Sequence, residues 1–286
     1  MRIAALDLTS LPSAQLLSYA RLTMSLSPSQ RYLEASTRLQ EKVRQQIPQI
    51  QTAARWFAES ILAGRLVHLF GSGHSRILVE EMWPRYGSFP GFHPIVELSL
   101  TFHNNVVGPN GQRQAMFLEN VSGLAQRILR NFDTTEQDTA LVASSSGCNV
   151  VPIEMAQEFQ RRGIRVVAIV SAEHSKASSS KHPGGKKLTD FADLVLDTGA
   201  PLGDAMVQID DLDTPVAPGS TIGGCLLINC LKAETAELLV QAGTKPDVLS
   251  AAGVVGQDRA VNLFENAYDE HARRISKLYA NLGREN

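Results

Sequence analysis

Between residues 32 and 61, apolar side chains recur every three or four positions, which is the period of an amphipathic α-helix. Pro48 interrupts this pattern, so we predict either one kinked helix or two helices joined there. The period then changes, because Leu66–Phe70 is a short apolar run bounded by glycine, as is typical of a buried strand. A helix is predicted directly after it, over about 75–86.

The same unit of a strand followed by a helix recurs along the chain. Such alternation predicts an α/β fold in which a five-stranded parallel sheet carries helices on both faces. The strands are predicted near 66–70, 94–98, 140–144, 165–170 and 193–196, with a short extra strand near 205–210. Further helices are predicted over 152–162, 220–242 and 258–284.

Composition narrows the class of protein. The chain has 286 residues, of which 43% are hydrophobic and 20% are charged, and its net charge is -2. These values predict a soluble globular protein that binds neither nucleic acid nor membrane. The three cysteines form no CxxC pair, which favours a reducing, cytoplasmic location. We treat residues 1–27 as an N-terminal extension to which we assign no order, and 28–286 as one domain with flanking helices.

Two loops rich in serine and glycine carry the clearest chemical signal. Gly71-Ser72-Gly73-His74-Ser75 and Ser144-Ser145-Ser146-Gly147-Cys148-Asn149 each follow a predicted strand and precede a predicted helix. Glycine permits a tight turn, and hydroxyls beside a helix N-terminus are donors suited to a phosphate. Taken alone, the first loop fits a plain turn with a serine cap equally well. Two such loops at the carboxyl ends of parallel strands favour a phosphate site.

The order of a strand, GSGHS and a helix, then a strand, SSSGCN and a helix, resembles the sugar-isomerase (SIS) domain family. Further stretches are similar to its UPF0309-type members: NVVPIEMA from Asn149, EHSK from Glu173, HPGGK from His182, and GDA from Gly203. The resemblance covers roughly 30–275. It implies that the phosphate of a sugar phosphate contacts Ser72, Ser75, Ser144, Ser146 and Asn149, although the family usually has Ser or Thr where Asn149 stands. It also implies that Ser220-Thr221, at the start of a helix, lies near the ligand.

Isomerisation of a sugar phosphate needs a carboxylate base and a group that opens the sugar ring. Glu81 is the first candidate base and Glu80 the second, because the resemblance places working side chains on this helix; either would otherwise be a solvated surface glutamate. His103 and His182 are candidates for ring opening, since both lie in irregular segments. His182 also fits a simple turn. Glu119 would reach the site from a neighbouring subunit, or would only favour a helix N-terminus.

The resemblance also bears on cofactors and on the reaction. Zinc-using heptose isomerases carry a histidine and a glutamate one turn apart, where this chain has Glu81 and Arg85, so we predict no catalytic metal and no other cofactor. The leading hypothesis is an aldose–ketose sugar-phosphate isomerase. The alternatives are an etherase or deglycase acting on a phosphosugar, and a non-catalytic phosphosugar sensor. Apolar stripes over 28–62 and 258–284 predict a homodimer or a tetramer of dimers.

Overall fold

The computed structural model describes residues 26–101, 111–280 and 282. The amphipathic stretch near the N-terminus forms two helices, α1 (Pro28–Arg44) and α2 (Ile47–Leu62). A capping box starts α1: Gln30 N donates to Ser27 Oγ at 3.2 Å, and Ser27 N donates to Gln30 Oε1 at 2.8 Å. Pro48 lies in the first turn of α2, where a missing N–H breaks no helical hydrogen bond. The two-helix alternative is therefore the one the chain adopts.

Five strands form one parallel sheet, so the predicted fold class is confirmed. The strands are β1 (Val67–Gly71), β2 (Phe92–Pro94), β3 (Thr139–Ala143), β4 (Arg165–Val170) and β5 (Leu194–Asp197), in the order β2-β1-β3-β4-β5. In the register, Leu69 lies opposite Leu141 on one side and Pro94 on the other. Such a sheet brings the carboxyl ends of all five strands to one edge.

One strand prediction needs correction, and the short extra strand predicted near 205–210 is present outside the main sheet. The second strand ends at Pro94 instead of running to residue 98, because Glu97 Oε1 accepts from Ser99 N at 3.2 Å and turns the chain into a short helix. The extra strand β6 (Ala205–Val207) does not join the main sheet. It pairs antiparallel with β7 (Val216–Pro218), which the sequence pattern did not predict.

Helices cover both faces of the sheet. After α2 they are α3 (Arg76–Met82), α4 (Leu98–Thr101), α5 (Gly111–Leu118), α6 (Leu124–Leu129), α7 (Val150–Arg161), α8 (Ala172–Ala177), α9 (Ser220–Gln241), α10 (Ala252–Val255) and α11 (Gln257–Ser276). One buried core joins the sheet to α2, α3 and α9, and a second joins it to α6 and α7. Each fully buried Leu, Ile or Phe contributes roughly 1.5–3 kcal/mol through removal of apolar area from water.

Helix α9 packs unusually close to the end of β5. A Cβ atom on Gly223 would lie 2.0 Å from the carbonyl oxygen of Thr198, so only glycine fits there. This contact brings the first turn of α9 to the carboxyl edge of the sheet. In the described ranges, no helix has both the length and the apolar character that a membrane span requires.

Candidate functional site

A cleft of about 460 Å³ opens at the carboxyl edge of the sheet. The loops after β1, β3, β4 and β5 and the start of α9 form its wall. Eight hydroxyl side chains line it: Ser72, Ser75, Ser144, Ser145, Ser146, Thr198, Ser220 and Thr221. The two serine loops and the Ser220-Thr221 pair, which are far apart in sequence, therefore meet in one cavity.

The first serine loop turns tightly out of β1. Gly73–Ser75 forms a single 3-10 turn before α3, with Gly73 at φ +55°. A Cβ on Gly71 would lie 2.6 Å from Ser75 O, so the turn needs glycine at this position. The hydroxyl of Ser72 donates to Glu119 Oε2 at 2.9 Å. The proton of this hydroxyl is thus directed at a carboxylate.

The second serine loop turns at Gly147, which has φ +62°. Ser146 Oγ accepts from Cys148 N at 3.3 Å, so its own O–H can still donate. The hydroxyl oxygen of Ser145 is buried without a hydrogen-bond partner in the described part of the chain. Asn149 is the N-cap residue of α7 but makes no side-chain cap; its Oδ1 instead accepts from Lys181 Nζ at 2.8 Å. This loop presents donors to the cleft.

The start of α9 has a different character. Asp204 Oδ1 accepts from Ser220 N at 2.6 Å and from Gly219 N at 3.0 Å, and Ser220 Oγ donates to Asp204 Oδ2 at 2.7 Å. A carboxylate is thus already held where a helix N-terminus would otherwise attract an anion. Ser220 and Thr221 line the cleft, but the hydroxyl proton of Ser220 points to Asp204.

Glu119 is the candidate base that the structure brings into the cleft. It follows α5, and its carbonyl oxygen accepts from Val151 N at 2.9 Å at the start of α7. Its carboxylate accepts from Ser72 of the first serine loop. These two contacts position the carboxylate between the two serine loops within a single chain.

Glu80 and Glu81 do not line the cleft. Glu81 Oε1 accepts from Asn229 Nδ2 at 2.7 Å, and its other oxygen pairs with Arg85. The carboxylate therefore joins α3 to α9. The Glu80 side chain is 58% exposed.

Buried Lys232 makes another contact between α3 and α9. Its ammonium group donates to the backbone oxygen of Glu81 at 2.8 Å. Burial lowers the pKa of Lys232, whereas the nearby negative charge of Glu81 acts to raise it and is outweighed.

Of the two histidine candidates, His182 belongs to the described residues, and it does not line the cleft. His182 Nδ1 accepts from Gly184 N at 3.1 Å, so its ring closes the turn of the His-Pro-Gly-Gly segment. His103 lies outside the described residues.

Besides His74 of the first serine loop, the cleft contains three charged or titratable residues that were not predicted as site residues: His174, Lys181 and Asp204. Each follows the carboxyl end of a predicted strand, β4 or β5, which was a usable signal. His174 lies on α8 after β4, and its Nδ1 is buried without a partner in the described residues. Within those residues no group of three or more His, Cys, Asp or Glu side chains is arranged to hold a metal ion.

Comparisons with known proteins identify the relatives of this chain. The profile of the SIS domain family matches residues 31–171. A UPF0309 protein of Halalkalibacterium halodurans is 37% identical over 215 residues, which are 75% of this chain and 86% of that protein. A UPF0309 protein of Listeria innocua is 32% identical over 252 residues, 88% of this chain and 98% of that one. A phosphoheptose isomerase from Francisella tularensis superposes with TM-score 0.46 at 14% identity, covering 79% of this chain and 100% of that one.

Proposed function

The chain belongs to the UPF0309 family and carries a SIS domain, and from this premise we propose that it binds a sugar phosphate in the cleft and isomerises it. One observation carries the proposal: the carboxylate of Glu119 and both serine loops face the same cavity. A volume of about 460 Å³ suits a small polar ligand, and a carboxylate base beside a phosphate cradle is what isomerisation requires.

In this proposal the phosphate is anchored at the second serine loop, and Glu119 works on the sugar carbons. Glu119 takes the proton from C2 of the open-chain aldose, and the C2–H electron pair forms the enediolate double bond. The hydroxyl proton on O2 then passes to the negatively charged O1, and the same carboxylic acid returns its proton to C1 as the O2 electron pair forms the C2=O bond. The carbonyl thus moves from C1 to C2 and no atom is gained or lost. Ser72, which donates to Glu119, positions the carboxylate.

Ring opening needs a group that both gives and takes a proton near neutral pH, as a histidine does. His174 is the histidine that we propose for this step, because it lines the cleft and its Nδ1 has no partner in the described part. It replaces His182, whose ring closes a turn elsewhere. His103 stays a prediction.

The test follows deuterium from solvent into C2 of a panel of hexose and pentose phosphates. Glu119→Gln keeps the shape of the side chain and removes its basicity, so we expect exchange to fall by roughly 10²–10⁴-fold. Glu81→Gln is the matched control and should exchange like the parent, because Glu81 joins α3 to α9. Full exchange in Glu119→Gln would show that Glu119 is not the base. No exchange by the parent with any phosphate that binds would favour the sensor.

We further propose that the protein works as a homodimer or a homotetramer in the cytoplasm. In a single chain, large apolar side chains stay exposed on α1 and α11: Leu33 at 65%, Val261 at 45% and Phe264 at 49%. All three cysteines are free thiols, as a reducing compartment favours. Light scattering at micromolar concentration should give a mass of two or four chains, and a monomer would contradict the proposal.

A further inference from the structure

Residues 178–188, here called the strap, lie against the second serine loop. Lys181 N donates to Cys148 O at 2.9 Å, and Leu188 N donates to Gly147 O at 2.8 Å. Lys187 Nζ also donates to Ser175 O, which ties the strap back to α8. Both ends of the strap are therefore fixed to the backbone of the loop that is proposed to hold the phosphate.

The strap carries a positive charge into the cleft. Lys181 Nζ donates to Asn149 Oδ1 at 2.8 Å, and Lys181 lines the cavity. Of the cleft-lining residues in the described ranges, it is the one lysine or arginine. Glu119 and Asp204 line the same cavity, so carboxylates outnumber this ammonium group before any ligand enters. The binding of a doubly charged anion therefore depends on Lys181 more strongly than it would in a cleft without these carboxylates.

We infer that Lys181 is the counter-ion of the ligand's phosphate, and that it makes the cleft select doubly charged phosphate monoesters over singly charged anions. The inference rests on the proposed function only in placing the ligand's phosphate in this cleft. An ammonium group has three donors, and Asn149 takes one of them. Two donors remain for a ligand, Lys181 lines the same cavity as Ser145 and Ser146, and a lysine binds phosphate as a point charge.

Methyl phosphate is the probe, because it is a phosphate monoester without a sugar. Methyl sulfate, which carries a single negative charge, is the matched control ligand. Binding is followed by thermal shift and calorimetry at constant ionic strength. Lys181→Met should weaken methyl phosphate binding by roughly ten- to a hundredfold, the range for a hydrogen bond to a charged group. Lys181→Arg keeps the charge and should stay within a few-fold of the parent. Lys186→Met removes an exposed charge from the same strap and should bind like the parent.

Selectivity is the second readout. The parent should bind methyl sulfate at least about tenfold more weakly than methyl phosphate, and Lys181→Met should narrow that gap, because the difference between the ligands is one charge. Equal methyl phosphate binding by Lys181→Met and the parent would overturn the inference, as would a parent that methyl phosphate does not stabilise. The thermal midpoints without ligand show whether each variant folds.

The outcomes also separate this inference from the proposed reaction. Methyl phosphate binding that depends on Lys181, with no deuterium exchange on any sugar phosphate, would leave the inference standing and end the isomerase proposal. Deuterium exchange that depends on Glu119, with methyl phosphate binding unchanged in Lys181→Met, would support the isomerase proposal and overturn the inference about Lys181.

Discussion

Hydroxyl protons decide which serines of the cleft can hold a phosphate. A serine has one O–H, and Ser72 and Ser220 direct theirs at Glu119 and Asp204. Ser146 instead accepts from Cys148 N, which leaves its proton for a ligand. We therefore propose that the phosphate binds on the side of the second loop, and that the carboxylates of Glu119 and Asp204 face the sugar.

This division predicts different results for two serine variants. Ser146→Ala should cost about 1.5–3 kcal/mol of methyl phosphate binding, since it removes a donor to a charged ligand. Ser220→Ala should leave that affinity within a few-fold and should instead lower the thermal midpoint, because Asp204 loses one of its donors. Calorimetry and melting curves on both variants check this. Equal losses of affinity would mean that both hydroxyls contact the phosphate.

The choice of base shows where residue-level prediction stops. Glu81 follows the first serine loop on a helix, which made it the first candidate. The direction of a helical side chain depends on the helix packed against it. Here the Glu81 carboxylate accepts a hydrogen bond from Asn229 of α9 and does not line the cleft. Glu119 is placed by a backbone hydrogen bond to Val151, a contact between distant segments that no local pattern reports. The two loops, by contrast, could be read from local chemistry.

At the scale of elements, strands buried on both faces were the easiest to predict. β1, β3, β4 and β5 are short apolar runs bounded by glycine or polar residues, and each lies within a residue or two of its predicted place. β7 was not predicted, because a strand of three residues that includes Pro218 shows no alternation of apolar and polar positions. Helix α3 is shorter than expected mainly at its C-terminal end: it stops at Met82, because Trp83 directly precedes Pro84 and is extended.

The contact between α3 and α9 lies beside the cleft, which Leu78 of α3 lines. Leu78 of α3 packs where a Cβ on Gly224 would lie 2.6 Å from its Cδ2, and Lys232 donates to the backbone of Glu81. Side chains that looked catalytic in sequence thus stabilise the packing of two helices. The consequence for function is indirect: this packing sets the position of the first serine loop relative to the start of α9.

At the scale of the whole molecule, a buried polar network lies among the strands. His68 Nδ1 and His93 Nδ1 are 2.9 Å apart on neighbouring strands, and His68 Nε2 lies 3.5 Å from Asp138 Oδ2. Arg65 pairs with the same carboxylate at 2.6 Å. Asp138 directly precedes β3, so this network ties the amino end of the sheet together, opposite the cleft.

The network shifts the pKa values of Asp138 and His93, and both shifts make stability depend on pH. Burial alone would raise the pKa of Asp138, but its contacts with His68 and Arg65 outweigh burial and hold that pKa well below its usual range. Burial lowers the pKa of His93 well below its ordinary value, and the neighbouring His68 lowers it further. In the folded protein Asp138 therefore stays ionised and His93 stays neutral.

These shifts predict how stability falls with acid. Below the ordinary histidine pKa of about 6.5, unfolded chains bind a proton at His93 that the folded protein does not, so the free energy of unfolding decreases as pH falls. Below the ordinary aspartate pKa of about 4, Asp138 adds a loss in the same direction. Urea unfolding between pH 8 and pH 4 should show this decline, with a slope of up to about 1.4 kcal/mol per pH unit for each such group.

His93→Asn should flatten the decline between pH 6.5 and pH 5, because it removes the site whose pKa folding lowers. His182→Gln is the control and should retain the slope, since that ring lies in a partly exposed turn far in sequence from the network. Stability that is independent of pH across this range, or a slope unchanged in His93→Asn, would show that the lowered pKa of His93 is not a source of acid sensitivity, and would contradict the prediction.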